Sequence, residues 1–257
     1  LSVLIIGGMH RSGTSMTAGW LKRCGLSLGQ DLIPGDWTNP RGHFEDREVS
    51  HFQRAILSAA GVDHYLTGSD PIPVAPEFHQ QGRELITRRS GHAQWGFKDP
   101  RSALLLDFWR ELLPEARYLF VFRHYGLVVQ SLLRRQRTPK AHVLQVSRFA
   151  KVWKRYNEDL LRFHAAHPED CLMVEVFDLL GCSLNVIEHA NERWGFQLRP
   201  LDIKDVAEDR LLTRDGPLWF DGLCRMTTRG LDPVYERLQE ASRESLQRIG
   251  HAARLAG

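Results

Sequence analysis

Gly8 and Gly13 bracket the loop Met9-His10-Arg11-Ser12, directly after the apolar run Val3-Leu4-Ile5-Ile6. A β-branched run, a glycine-bounded loop and a helix-compatible stretch from Met16 to Cys24 make a strand–loop–helix. Such a unit cradles a phosphate on backbone N–H groups at a helix N-terminus. The Gly-x-x-x-x-Gly spacing of an ATP-binding loop is present, but Thr14 stands where that loop requires Lys. The loop's cation is Arg11, so the residues point to a phosphate site and away from ATP.

Further chemistry-bearing residues follow the other apolar runs. Arg117-Tyr118-Leu119-Phe120-Val121-Phe122 is the strongest buried-strand pattern in the chain, and Arg123 comes immediately after it. Ligands of open parallel sheets gather beyond the carboxyl ends of the strands, which places Arg123 to face an anion. Ser131, one turn inside the next helix, is within reach of the same anion. Lys98 ends the short run Gln94-Trp95-Gly96-Phe97 and belongs at the same edge, with Arg101 close behind. Asp99 either pairs with Lys98 or caps a helix opened by Pro100. Gly42-His43-Phe44-Glu45 reads as a helix start whose acidic residues suit the N-terminal dipole.

Together these strings resemble the sulfotransferases that use 3′-phosphoadenosine-5′-phosphosulfate (PAPS), over about residues 3–195. Arg11-Ser12-Gly13-Thr14-Ser15 resembles their 5′-phosphosulfate loop. Arg123 and Ser131 resemble their 3′-phosphate site, although His124 and Tyr125 replace the Asp/Asn and Pro usual at that turn. Asn39-Pro40-Arg41-Gly42-His43-Phe44-Glu45-Asp46 resembles the string that carries the catalytic base in bacterial and carbohydrate-type members. Lys98-Asp99-Pro100-Arg101 resembles another string common in bacterial members.

The resemblance implies the following roles. Arg11, Ser12, Gly13, Thr14 and Ser15 hold the 5′-phosphate, with Arg11 at the bridging oxygen. Arg123 and Ser131 anchor the 3′-phosphate. Lys98 contacts sulfuryl or acceptor oxygens, and Glu45 or His43 serves as base, Glu45 being preferred. A helix-dipole effect is expected to keep Glu45 ionised. PAPS is the donor, no metal is required, and the acceptor is a hydroxyl, by default of a carbohydrate or lipid-linked glycan. The acceptor cleft is expected from residues 27–42, 61–90 and 198–232. Two alternatives remain, a P-loop kinase-like phosphotransferase and a non-catalytic domain that binds adenosine 3′,5′-bisphosphate (PAP) or another anion.

The elements that must position these residues alternate. Helices are expected near Glu45–Ala60, Glu77–Arg89, Ser102–Leu113, Leu127–Arg135, Ala141–His164 and Leu184–Trp194, with a fourth strand at Cys171–Val176. Strands separated by helices predict an α/β fold of the P-loop nucleotide-binding type, a mainly parallel sheet covered on both faces. Leu198–Asp232 shows no period, and Pro233–Leu255 reads as a charged amphipathic helix. Trp153 and Tyr156, at helical spacing, belong to the core. One domain is expected over residues 1–257, less regular from about 198.

Bulk properties fit a soluble enzyme. The chain has 257 residues, enough for a sizeable core, with charged residues at 25% and hydrophobic ones at 42%. A net charge of +3 suits a polyanionic ligand, while the lack of long basic runs speaks against a nucleic-acid partner. No apolar run has the length of a membrane span, and a cytoplasmic location is the expectation. Cys24, Cys171, Cys182 and Cys224 lack metal-binding spacing and read as buried thiols; the histidines show no metal-binding pattern either. The residues leave the acceptor, the adenine-stacking group and the oligomeric state open.

Overall fold

The computed structural model describes residues 2–37, 39, 42–62, 71–89, 91–135, 143–206 and 216–250. The apolar runs form four parallel strands: β1 (Ser2–Gly7), β2 (Gln94–Lys98), β3 (Arg117–Phe122) and β4 (Cys171–Glu175). Their order is β2-β1-β3-β4. Parallel strands need crossovers, and the intervening helices supply them. These are α1 (Thr14–Arg23), α2 (Arg47–Ala59), α3 (Pro76–Thr87), α4 (Leu106–Leu112), α5 (Tyr125–Arg135) and α6 (Val143–Ala166). After β4 come α7 (Val176–Trp194), α8 (Leu218–Thr227) and α9 (Leu231–Arg248).

Strand alternation divides the core in two. Val3, Ile5, Phe97, Tyr118, Phe120 and Met173 face one layer, with α2, α4 and α6 packed on it. Leu4, Ile6, Leu119, Val121, Leu172 and Val174 face the other, under α1 and α7. Both sheet edges are covered, which removes the pairing template an open edge presents. At β2, Gly96 N–H donates to Ser27 O. At β4, Met173 and Glu175 N–H donate to the hydroxyls of Ser245 (3.0 Å) and Ser242 (3.4 Å) on α9.

The register aligns the strand ends that matter. Ile6 pairs with Lys98, Gly7 with Phe120, and Phe122 with Glu175. The loop after β1, Lys98 and Arg123 therefore share the carboxyl edge of the sheet.

Several helices differ from the sequence reading. α7 begins at Val176, which was expected to end the fourth strand, and so starts eight residues before the expected Leu184. Asp99 opens a 3-10 turn, Pro100–Leu104, before α4, where one continuous helix from Ser102 was expected. The stretch 198–232, expected to be irregular, contains α8; Gly222 inside it masks its helical pattern. Pro40, Arg41, Ala141 and the end of the C-terminal helix expected to reach Leu255 lie outside the described residues. No helix among the described residues is long and apolar enough to cross a membrane. All four cysteines are free and buried.

Candidate active site

The loop after β1 is shaped by close packing. Gly8 has φ +148°, and a Cβ there would lie 2.3 Å from Val121 O. Gly13 has φ +96°, and its Cβ would lie 2.3 Å from Val176 Cγ2. Only glycine fits either position. Gly13 is the N-cap of α1 and makes no side-chain cap, and the first turn carries no acidic residue. The first N–H groups of a helix have no intrahelical acceptor, so this end is built for an anion. Ser12 Oγ is buried with no hydrogen-bond partner among the described residues, and Thr14 is buried beside it. A cradle that a Cβ would fill, with an unsatisfied hydroxyl inside it, fits the 5′-phosphate expected there.

Arg11 (φ 69°) and Phe44 (φ 54°) are the two non-glycine residues with positive φ among the described residues. Such strain persists only where surroundings impose it. Arg11 Nε donates to Ser131 Oγ (2.9 Å), and Arg123 reaches Arg11 O at 3.4 Å. Arg123 is buried, and its guanidinium lies 5.6 Å from the ring centre of Phe177. Burial, together with Arg11 and Arg134, lowers its pKa to about 10, so it remains charged at neutral pH. Two arginines and a serine hydroxyl thus converge beside the α1 N-terminus, a cluster that an anion would relieve.

The second centre is built around Glu45. Lys98 Nζ donates to Glu45 Oε1 at 2.7 Å, and Arg101 Nη2 lies 3.6 Å from Oε2. Arg101 also donates to Asp99 Oδ2 (2.7 Å) and Ser50 Oγ (2.8 Å). Lys98 and Asp99 are almost completely buried. Asp99 caps the 3-10 turn through Arg101 N (2.9 Å) and pairs with Arg101, not Lys98.

Burial pushes the Glu45 carboxyl upward, but Lys98, then Arg101 and His43, outweigh it and hold the pKa below the ordinary value. The expected dipole cause is incorrect. α2 starts at Arg47 with Asp46 as N-cap, Asp46 Oδ1 accepting from Val49 N (3.1 Å), so Glu45 precedes the cap.

The two centres are tied through the residues before Glu45. Ser15 Oγ donates to His43 O (3.2 Å). The Phe44 ring covers Gly19 of α1, where a Cβ would meet Phe44 Cζ at 2.9 Å. This contact explains both the small residue on α1 and the strained Phe44. His43 Nε2 lies 3.3 Å from Asp36 Oδ2.

The turn after β3 has its own use for the departures noted above. Tyr125 OH donates to Asp232 Oδ1 (2.6 Å), and His124 lies 3.8 Å from Asp221 Oδ1. These residues dock α8 and α9 against the turn after β3. Trp153 Nε1 donates to Arg123 O (2.9 Å), fixing the backbone that carries the guanidinium. Sequence reasoning placed Trp153 in the core without finding this bond, and it missed Phe177 entirely. Tyr156 is buried, with its ring 6.2 Å from that of His10. Among the described residues no cluster of three or more His, Cys, Asp or Glu is arranged to hold a metal ion.

A parallel sheet with helices on both faces, a glycine-bounded anion loop after β1 and basic residues at the neighbouring strand ends define a P-loop-type nucleotide-binding α/β protein. A family model described as "Sulfotransferase family" matches residues 4–195, and the chain belongs to that family, whose members are PAPS-dependent sulfotransferases. Two solved structures support the fold. A sulfotransferase domain from the Synechococcus PCC 7002 olefin synthase is 15% identical, with TM-score 0.53, covering 93% of this chain and 94% of that one. The sulfotransferase STF1 from Mycobacterium tuberculosis H37Rv is 12% identical, with TM-score 0.51, covering 93% of this chain and 76% of that one. The chain has no significant match among curated proteins.

Proposed function

We propose that this sulfotransferase moves a sulfuryl group from PAPS to an acceptor hydroxyl of a carbohydrate or lipid-linked glycan. The observation that carries the donor reading is the convergence of Arg11, Arg123 and Ser131 beside the uncapped N-terminus of α1. The loop N–H groups, Ser12, Thr14 and Ser15 hold the 5′-phosphate. Arg123 and Ser131 take the 3′-phosphate, which distinguishes this donor from ATP. The glycan acceptor rests on the likeness of the Asn39–Asp46 and Lys98–Arg101 strings to bacterial and carbohydrate-type members.

In the reaction the acceptor oxygen attacks sulfur and its proton passes to the Glu45 carboxylate. The bond from sulfur to the bridging oxygen breaks, its electron pair staying on the 5′-phosphate of departing PAP. Arg11 and the helix N–H groups meet that growing charge, a preorganised electrostatic contribution. Lys98 keeps Glu45 ionised and ready to accept the proton, while its ammonium also favours the sulfuryl oxygens. Sulfuryl transfer leaves little covalent work for the protein beyond positioning.

The competing readings fare less well. A kinase needs a lysine where Thr14 stands and an acidic Mg²⁺ ligand after β3, where Arg123 stands. A purely anion-binding domain would be favoured if the Glu45 segment turned away from the loop. The Ser15–His43 bond instead holds that segment against α1. The test is mass spectrometry of products after incubation with PAPS and a panel of sugars, phenols and amines. A sulfated sugar hydroxyl with stoichiometric PAP supports the proposal. Sulfation of phenols or amines alone would refute the acceptor, and PAP binding without donor consumption would favour the anion-binding reading.

A further inference from the structure

Behind Arg123 lies a carboxylate that the transfer scheme does not use. Glu175 ends β4, and its pairing with Phe122 sets it beside the strand end that carries Arg123. Tyr235, on α9, donates its hydroxyl to Glu175 Oε1 at 2.7 Å. The Tyr235 ring stands perpendicular to His124 at 4.7 Å and edge-on to Phe122 at 6.2 Å, wedged into the turn around Arg123. Ser242, also on α9, accepts from Glu175 N. Helix α9 thus grips Glu175 through both its carboxylate and its backbone N–H.

We propose that Glu175, seated on Tyr235, is a positioning residue for Arg123 that takes up a proton when the donor's 3′-phosphate binds. Before the donor binds, the carboxylate and the guanidinium attract each other. A 3′-phosphate arriving on Arg123 brings negative charge toward Glu175, and like charges in a low-dielectric corner cannot both persist. Protonation of Glu175 removes the repulsion while the attraction between Arg123 and the phosphate remains. The inference rests on the donor assignment made above.

The charged surroundings agree with this direction. Burial raises the Glu175 pKa to about 7; Asp178 on α7 adds to the rise, while the Tyr235 hydrogen bond and Arg123 oppose it. Around Arg123, the like charges of Arg11 and Arg134 lower its pKa, while the Glu175 carboxylate raises it. A carboxyl that is half ionised near neutrality and becomes protonated on binding takes up about half a proton at pH 7. Above that pH, affinity that depends on proton uptake falls by up to about tenfold per pH unit.

The experiment is calorimetric titration of the full chain with PAP in buffers of different ionisation enthalpy, from pH 6 to 8.5. Glu175→Gln keeps the shape and still accepts from Tyr235 but cannot take a proton. Wild type should bind about half a proton more than Glu175→Gln at pH 7, and only wild type should lose affinity steeply toward pH 8.5. The difference between the two proteins cancels titration of the PAP phosphates. Tyr235→Phe removes a bond that favours the ionised carboxyl, so the pH of greatest uptake should rise. Equal proton counts in wild type and Glu175→Gln, or no shift in Tyr235→Phe, would overturn the inference while leaving the donor assignment intact. Failure of wild type to bind PAP at all would overturn both.

Discussion

Replacing Lys98 with Met tests the core of the proposed base. The lysine ammonium sits 2.7 Å from Glu45 Oε1, with side-chain exposures of 2% and 10% for the two partners. Removing one member of a buried ion pair leaves a charge in a poorly solvated place and costs about 3–5 kcal/mol. Arg101, 3.6 Å from the other oxygen, offsets part of this, so the lower end, about 3 kcal/mol, is expected. The pH dependence gives a sharper signature. In wild type the Glu45 pKa is lowered, so its contribution is present above the unfolded carboxyl value and is lost as pH falls through the folded one. Without Lys98 burial dominates and the carboxyl titrates upward, so its penalty at neutral pH fades on acidification. The stability difference between Lys98→Met and wild type should therefore grow from pH 4.5 to pH 7.5. Urea unfolding at several pH values measures it. A difference below about 1 kcal/mol, or one that stays flat with pH, would refute the buried-pair reasoning.

Other substitutions separate chemistry from binding. Arg11→Ala should lower turnover by roughly 10²–10³, as for loss of one preorganised donor, with a smaller change in PAP affinity. Arg123→Ala should chiefly weaken PAP binding, because the 3′-phosphate does not react; lowered turnover at unchanged affinity would reverse the assignment. Glu45→Gln should cut turnover at least ~10²-fold with PAP affinity nearly intact, and His43→Ala should be milder; the reverse ranking would move the base to His43. Gly13→Ala should abolish PAP binding or folding, since its Cβ would press into Val176 at 2.3 Å; wild-type binding by this variant would contradict the loop geometry.

The elements most legible in the sequence were those with strong local patterns. Val3–Ile6 and Arg117–Phe122 are β-branched and aromatic runs, and their burial in the middle of a parallel sheet follows from that. The phosphate loop was readable because its glycines and Arg11 are contiguous. What escaped depends on contacts between distant residues. Lys98 and Glu45 are separated by 53 positions, and no local pattern shows that one neutralises the other. The dipole explanation for Glu45 failed on a boundary, since the cap is Asp46. The local sequence suits Asp99 to two roles, and only the fold assigns it to the 3-10 turn and to Arg101. The Trp153 bond to Arg123 O and the Tyr235–Glu175 pair join α6 and α9 to strand ends, a tertiary arrangement without a local signal.

The central claim is that Arg11, Arg123 and Ser131 form a site for two phosphates on one nucleoside. Comparing PAP with ADP by calorimetry in the absence of Mg²⁺ tests it most directly. ADP leaves Arg123 and Ser131 without the 3′-phosphate, and one charge-assisted hydrogen bond is worth roughly 1.5–3 kcal/mol. PAP should therefore bind at least about tenfold more tightly than ADP, and should need no Mg²⁺. Equal affinities, or binding that appears only with Mg²⁺, would contradict the account.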